Sequence, residues 1–144
     1  MIARAAIVAA ARGWIGTPYR HQASLKGVGC DCLGLVRGVW REVVGPEPEP
    51  LRPYAQEWPL ASPDERLLDL GATHFRAVDP AAFAAGDILV FRWRAHLPAS
   101  HLAIVTDAVA MAHAHDGACV AEVALSAWWR RRIAGAFAFP GVAG

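Results

Sequence analysis

The sequence predicts an α+β fold in which N-terminal helices pack on a central antiparallel sheet. Three observations predict it. Apolar residues recur at helical steps in the first third of the chain, and short segments with β-branched residues fill the second half. The two kinds of segment do not alternate as parallel β-α-β units would. With 144 residues, the chain is expected to form one domain over 1–144 with a core of its own.

Residues 2–13 read as an Ala-rich helix carrying Ile2, Ile7 and Val8, with Gly13 near its stop. Gly16-Thr17-Pro18-Tyr19 form a turn, and Gly27 and Gly29 keep the next stretch irregular. From Cys32 to about Val44 the pattern is helical again. Leu35, Val36, Val39, Trp40 and Val43 recur at three- and four-residue steps, and Asp31 stands where an N-cap belongs. Gly45 to Pro53 is too rich in proline for a regular element. Ser62-Pro63-Asp64-Glu65 has the pattern of a capping box and predicts a short helix to about Leu70. Strands are expected over 87–94, 101–106, 108–114 and 118–123. Leu125–Arg131 reads as one or two helical turns, and Ile133–Phe139 as a final strand.

Lys plus Arg is 14 against 13 Asp plus Glu, and a net charge of +1 gives no reason to expect a nucleic-acid partner. The one basic run, Arg130-Arg131-Arg132 after Trp128-Trp129, reads as a solvated helix end or as a docking surface. No apolar stretch approaches the roughly 18–20 residues of a membrane span. The Ala-rich start reads as a helix rather than an export signal, so the chain is expected to be made in the cytoplasm without a signal peptide. Cys30 and Cys32 are too close for an unstrained bridge and Cys119 is distant, so free thiols in a reducing compartment are expected.

Cys32 is the sharpest chemical feature. In the first turn of a helix it lies beside unpaired N–H groups and the positive end of the macrodipole, which predicts a lowered thiol pKa. Gly34 is expected to leave the neighbouring surface open. Spacing alone supports equally well a Cys32 that is a small buried hydrophobe. A nucleophilic cysteine needs a histidine base, and the base needs an orienting partner. His101 opens the apolar strand Leu102-Ala103-Ile104-Val105, and a hairpin to the next strand brings His113 or His115 beside it. Spacing does not choose between those two. His21, His74 and His96 lie in turn-like surroundings and read as surface residues. A metal site built on Cys30, Cys32 and a histidine lacks a second ligand pair, so no metal is expected.

Taken in order, five segments resemble the motifs of the NlpC family of bacterial cell-wall cysteine peptidases, which have a papain-like fold. They are Trp14-Ile-Gly-Thr-Pro-Tyr19, Gly29-Cys-Asp-Cys-Leu-Gly-Leu-Val36, Gly86-Asp-Ile-Leu-Val-Phe91, Ser100-His-Leu-Ala-Ile104 and Met111-Ala-His-Ala114. The resemblance runs over nearly the whole chain. The run Arg20-His-Gln-Ala-Ser24 and the paired Cys30-Asp31-Cys32 are similar, more narrowly, to phage-type members, including those of gene transfer agents.

The resemblance implies Cys32 as nucleophile, His101 as base and His113 as the residue that orients it. Tyr19 and the Cys32 amide would hold the oxyanion, Asp31 would shape the site and meet the substrate's amino group, and Ser100 would contact substrate. The implied substrate is a peptidoglycan stem peptide, with the bond from D-glutamate to the diamino acid as leading candidate and no cofactor. The implied partners are phage-like tail proteins, with action in the periplasm from a virion or gene-transfer-agent tail. A structural tail-tip adaptor or plug, or an amidase or acyltransferase on another substrate, are the alternatives. Three features depart from the family pattern: Cys30 where an apolar residue is common, Leu33 where serine is common, and the long segment from Gly45 to Asp79.

Overall fold

The computed structural model describes residues 1–48, 58–60 and 62–143. Helix α1 spans Arg4–Arg12 and turns Ile7, Val8 and Ala11 into the core. It starts later than expected because Ile2 is drawn into a parallel bridge with Val142. Arg4 reaches back to Asp87 at 2.8 Å, and the buried Asp87 also accepts the Ala84 N–H at 2.9 Å. A buried carboxylate is tolerable because it is paired in this way, and the pair ties α1 to the sheet.

A hairpin too short to show periodicity follows, β1 (Ser24–Leu25) and β2 (Gly29–Cys30). Helix α2, Cys32–Val43, then begins at Asp31, whose Oδ1 accepts the Gly34 N–H at 2.7 Å. Leu35, Val36, Val39 and Trp40 form its buried face, as their spacing predicts. Gly38 lets Trp14 lie flat on the helix: a Cβ there would stand 1.9 Å from the indole.

The segment between α2 and the sheet differs from expectation. Pro50 and Pro53 fall outside the described residues. Trp58–Leu60 form one 3-10 turn, and α3 covers Arg66–His74. The expected capping box does not form. Glu65 sends its carboxylate to Arg92 and to the Ala99 N–H, so it is not available to cap, and Ser62 Oγ accepts the Asp64 N–H. The helix therefore starts at Arg66 and runs past Leu70. Strand β3 (Arg76–Val78) also lies inside what the sequence presents as loop.

The remaining elements are β4 (Ile88–Phe91), β5 (His101–Asp107), β6 (Ala110–Ala114), β7 (Val120–Ala124), α4 (Ala127–Arg130) and β8 (Ile133–Ala138). The six larger strands form one sheet in the order β3-β8-β4-β5-β6-β7, antiparallel at every pairing. Its central strands are buried on both sides. Ile88, Val90, Leu102 and Ile104 meet α1 and α2, while Leu89, Phe91, Ala103 and Val105 meet Met111, Leu125 and Ala136 on the far face. This explains the unbroken apolar run of β4, since a strand covered on both faces has no polar side. The structure is α+β, with helices packed on a central antiparallel sheet. Among the described residues no helix is long and apolar enough to cross a membrane.

Candidate active site

The sheet brings the start of α2 against the start of β5. Cys32 is the first residue of α2, and Asp31 anchors it from both sides. One carboxylate oxygen of Asp31 caps the helix through Gly34, and the other accepts the Gln22 N–H at 2.8 Å. Asp31 is thus a buried brace between the 19–23 turn and α2. Gly34 does not leave an open surface, contrary to expectation. It is buried, and a Cβ on it would stand 1.9 Å from the Ala23 carbonyl oxygen, so the absence of a side chain serves close packing. Cys30 is fully buried in the core beside Leu33, filling the apolar place that the resemblance leads one to expect at its position.

His101 and His113 meet through the β5–β6 register. Ile104 faces Ala112 and Val105 faces Met111, which continues to put His113 on the same sheet face as His101. His101 Nε2 and His113 Nδ1 are 2.9 Å apart, with their rings close to perpendicular. His115 lies past the end of β6 and is exposed, so the geometry selects His113 as the partner. A base that uses Nε2 for this bond keeps Nδ1 for a proton from elsewhere.

Two tryptophans complete the surroundings of His101. Trp93 and Trp129 both lie nearly parallel to its ring, with centroids 5.2 Å and 5.7 Å away, and Trp129 also packs edge-on against His113. Sequence reading passes over Trp93 altogether and meets Trp129 only as a neighbour of the basic run. The available signal is a Trp-Trp pair ahead of the final strand, but its contacts cross the sheet and have no local spacing.

A cavity of about 210 Å³ opens over these groups. Tyr19, Asp31, Cys32, Ser100 and His101 all line it, as do His21, Trp93 and His115. The Ser100 hydroxyl is buried without a hydrogen-bond partner among the described residues, a group still able to bond to a ligand. His21 is a correction: it lines the cavity half-buried, with Nδ1 at 3.9 Å from Asp31 Oδ2, because the Gln22 turn folds it inward. His96 stays exposed, and His74 is half-buried at the end of α3. Among the described residues no group of three or more His, Cys, Asp and Glu converges as a metal site.

The electrostatics reverse one expectation. Burial pushes the Cys32 thiol up to about 12, and the charge of Asp31 adds to the rise. The amides of Leu102, Leu33 and Cys32 itself are directed at the sulfur and oppose the shift without overcoming it. The helix start does act in the expected direction, but desolvation outweighs it. Burial, with His113 and His115 nearby, lowers His101 to about 3, and burial followed by His115 lowers His113 to about 4. Both directions favour the neutral thiol and the neutral imidazoles near pH 7.

No family model and no curated protein matches the chain. Solved structures do. The NlpC/p60 domain of the peptidoglycan hydrolase SagA superposes with a TM-score of 0.65 at 23% identity, over 94% of this chain and 98% of that one. The chain has the NlpC/p60 fold. An NlpC/p60 family protein from Bacillus cereus gives 0.64 at 19% identity over 92% of this chain. A lipoprotein-like NLP/P60 family protein from Staphylococcus aureus gives 0.60 at 22% identity over 94%. The chain spans 39% and 40% of those two proteins, against nearly all of the SagA domain.

Proposed function

We propose that this protein is a cysteine peptidase that hydrolyses an amide bond in peptidoglycan stem peptides. One observation carries the reading: the first residue of α2 is a cysteine that shares a cavity with His101, a buried histidine hydrogen-bonded to His113. The NlpC/p60 fold supports a cell-wall substrate through the SagA domain, which belongs to a peptidoglycan hydrolase.

In this mechanism Cys32 Sγ attacks the scissile carbonyl while His101 Nδ1 takes the thiol proton. His113 holds the imidazole through Nε2 and fixes its tautomer. Because the resting thiol is neutral, proton removal accompanies attack, as general-base catalysis requires. The Cys32 N–H, which the helix leaves without an intrahelical acceptor, and Tyr19 hold the oxyanion, where one donor is worth about 3–4 kcal/mol. His101 then returns the proton to the leaving amine as the C–N bond breaks, and water hydrolyses the thioester. Ser100 and Asp31 meet the substrate, Ser100 through its unpaired hydroxyl. The bond between D-glutamate and the diamino acid is the leading candidate.

The phage-type segments Arg20–Ser24 and Cys30–Cys32 further support a place in the tail of a phage-like or gene-transfer-agent particle, with action in the periplasm. Mass spectrometry of purified particles tests this placement, and absence of the chain from intact particles removes it. A second reading, a tail adaptor with little turnover, draws on the sulfur being directed at backbone amides with its pKa raised. Mass spectrometry of muropeptides after incubation with the wild type and with Cys32→Ala separates the two. The peptidase yields new stem-peptide fragments only with Cys32 present; a folded wild type that yields none leaves the adaptor.

A further inference from the structure

The basic run before the last strand divides in two. Arg130 is used internally: its guanidinium donates to the carbonyls of Leu125 and Ala108 and lies over the Phe83 ring. Arg131 and Arg132 face a separate open groove, together with Arg94 and His96 from the β4–β5 connection. Arg132 is held in place, stacked 3.6 Å over the Trp128 ring and donating to the Trp128 carbonyl at 2.8 Å. Arg92, at the inner end, is neutralised by Glu65. Arg94 and Arg131 are exposed, and among the described residues they carry no ion pair and no acidic side chain lines the groove. It adjoins the cysteine cavity, since Trp93 lines both while stacking on His101.

We propose that this groove is an extended substrate subsite that binds carboxylate groups of the peptide lying beyond His101. The inference rests on the peptidase reading and deepens it. The net charge of the chain is only +1, so the groove is a local concentration of positive charge and does not reflect a generally basic surface. Its cations are guanidinium groups, whose paired N–H donors fit a carboxylate at two points. A substrate threaded past Trp93 places its anionic end among them, whereas a long nucleic acid needs a stripe of phosphate contacts that a nearly neutral chain does not offer.

The test uses two muropeptides: a disaccharide tetrapeptide with a free diamino-acid carboxylate, and the same compound with that carboxyl amidated. Binding is measured by calorimetry on the Cys32→Ala chain, and KM on the active chain, each with and without Arg94→Gln plus Arg131→Gln. The double substitution is expected to weaken binding and raise KM for the acid about five- to tenfold, with the acid-over-amide preference disappearing in the variant and at high salt. Equal affinity for acid and amide in the parent chain, or an equal loss for both in the variant, overturns the subsite. Cleavage without acid–amide discrimination removes the subsite and leaves the peptidase. Arginine-dependent binding without cleavage keeps the groove and removes the peptidase. Melting curves of the exposed-arginine variant confirm that it is folded.

Discussion

At Cys32 the backbone and its surroundings pull the thiol in opposite directions. Helix-start amides favour the thiolate, while burial and the carboxylate of Asp31 favour the thiol and win, pushing it up to about 12. For an acid, a raised pKa lowers the ionised fraction at neutral pH, so alkylation of Cys32 by iodoacetamide should be slow at pH 7. It should climb about tenfold per pH unit toward the folded pKa. The exposed Cys119 gives an internal reference, and site-resolved mass spectrometry separates it from Cys32 and the buried Cys30. A fast plateau for Cys32 between pH 5 and 8 would instead indicate a preformed ion pair with His101. The lowered pKa values of His101 and His113 point the same way, since neither imidazole gains a proton until well below neutrality.

At the scale of the element, α2 is both the scaffold of the nucleophile and the part most legible in the sequence. Its apolar spacing, the Asp31 cap and the cysteine at its first turn are local facts, and the structure reproduces all three. The strands carrying His101 and His113 were legible for the same reason. The hairpin β1–β2 and the strand β3 were not, because two or three residues cannot display a period. The Ser62 capping box failed because Glu65 found a tertiary partner in Arg92, a contact that no local pattern encodes. The same limit hid Trp93 and Trp129, whose function follows from contacts across the sheet.

Gly34 was legible as special but not for its reason. Its missing side chain lets α2 close on the Ala23 carbonyl. Gly→Ala inside a helix ordinarily gains about 1 kcal/mol. Here the added methyl must displace backbone, so Gly34→Ala is expected to destabilise by about 2–3 kcal/mol. A thermal melt should show this as a Tm lower by roughly 5–12 °C. A variant as stable as the parent would show that the 19–23 turn yields freely.

For the molecule as a whole, the fold's work is to bring together groups far apart in the chain. Cys32 opens a helix on one side of the sheet, and His101 opens a strand whose own side chain joins the tryptophans of the other side. They share one cavity at the rim where α2 abuts β5, and the Asp31 brace holds the start of α2 there. Cys32 and His101 act as one unit in the proposed mechanism. The direct measurement is kcat/KM for muropeptide cleavage by the wild type, Cys32→Ala, His101→Ala and the double variant. Residues that act together predict a fall of about a thousandfold or more for each single change, and no further fall for the double. Activity within tenfold of wild type in His101→Ala, or losses that multiply in the double variant, would contradict it.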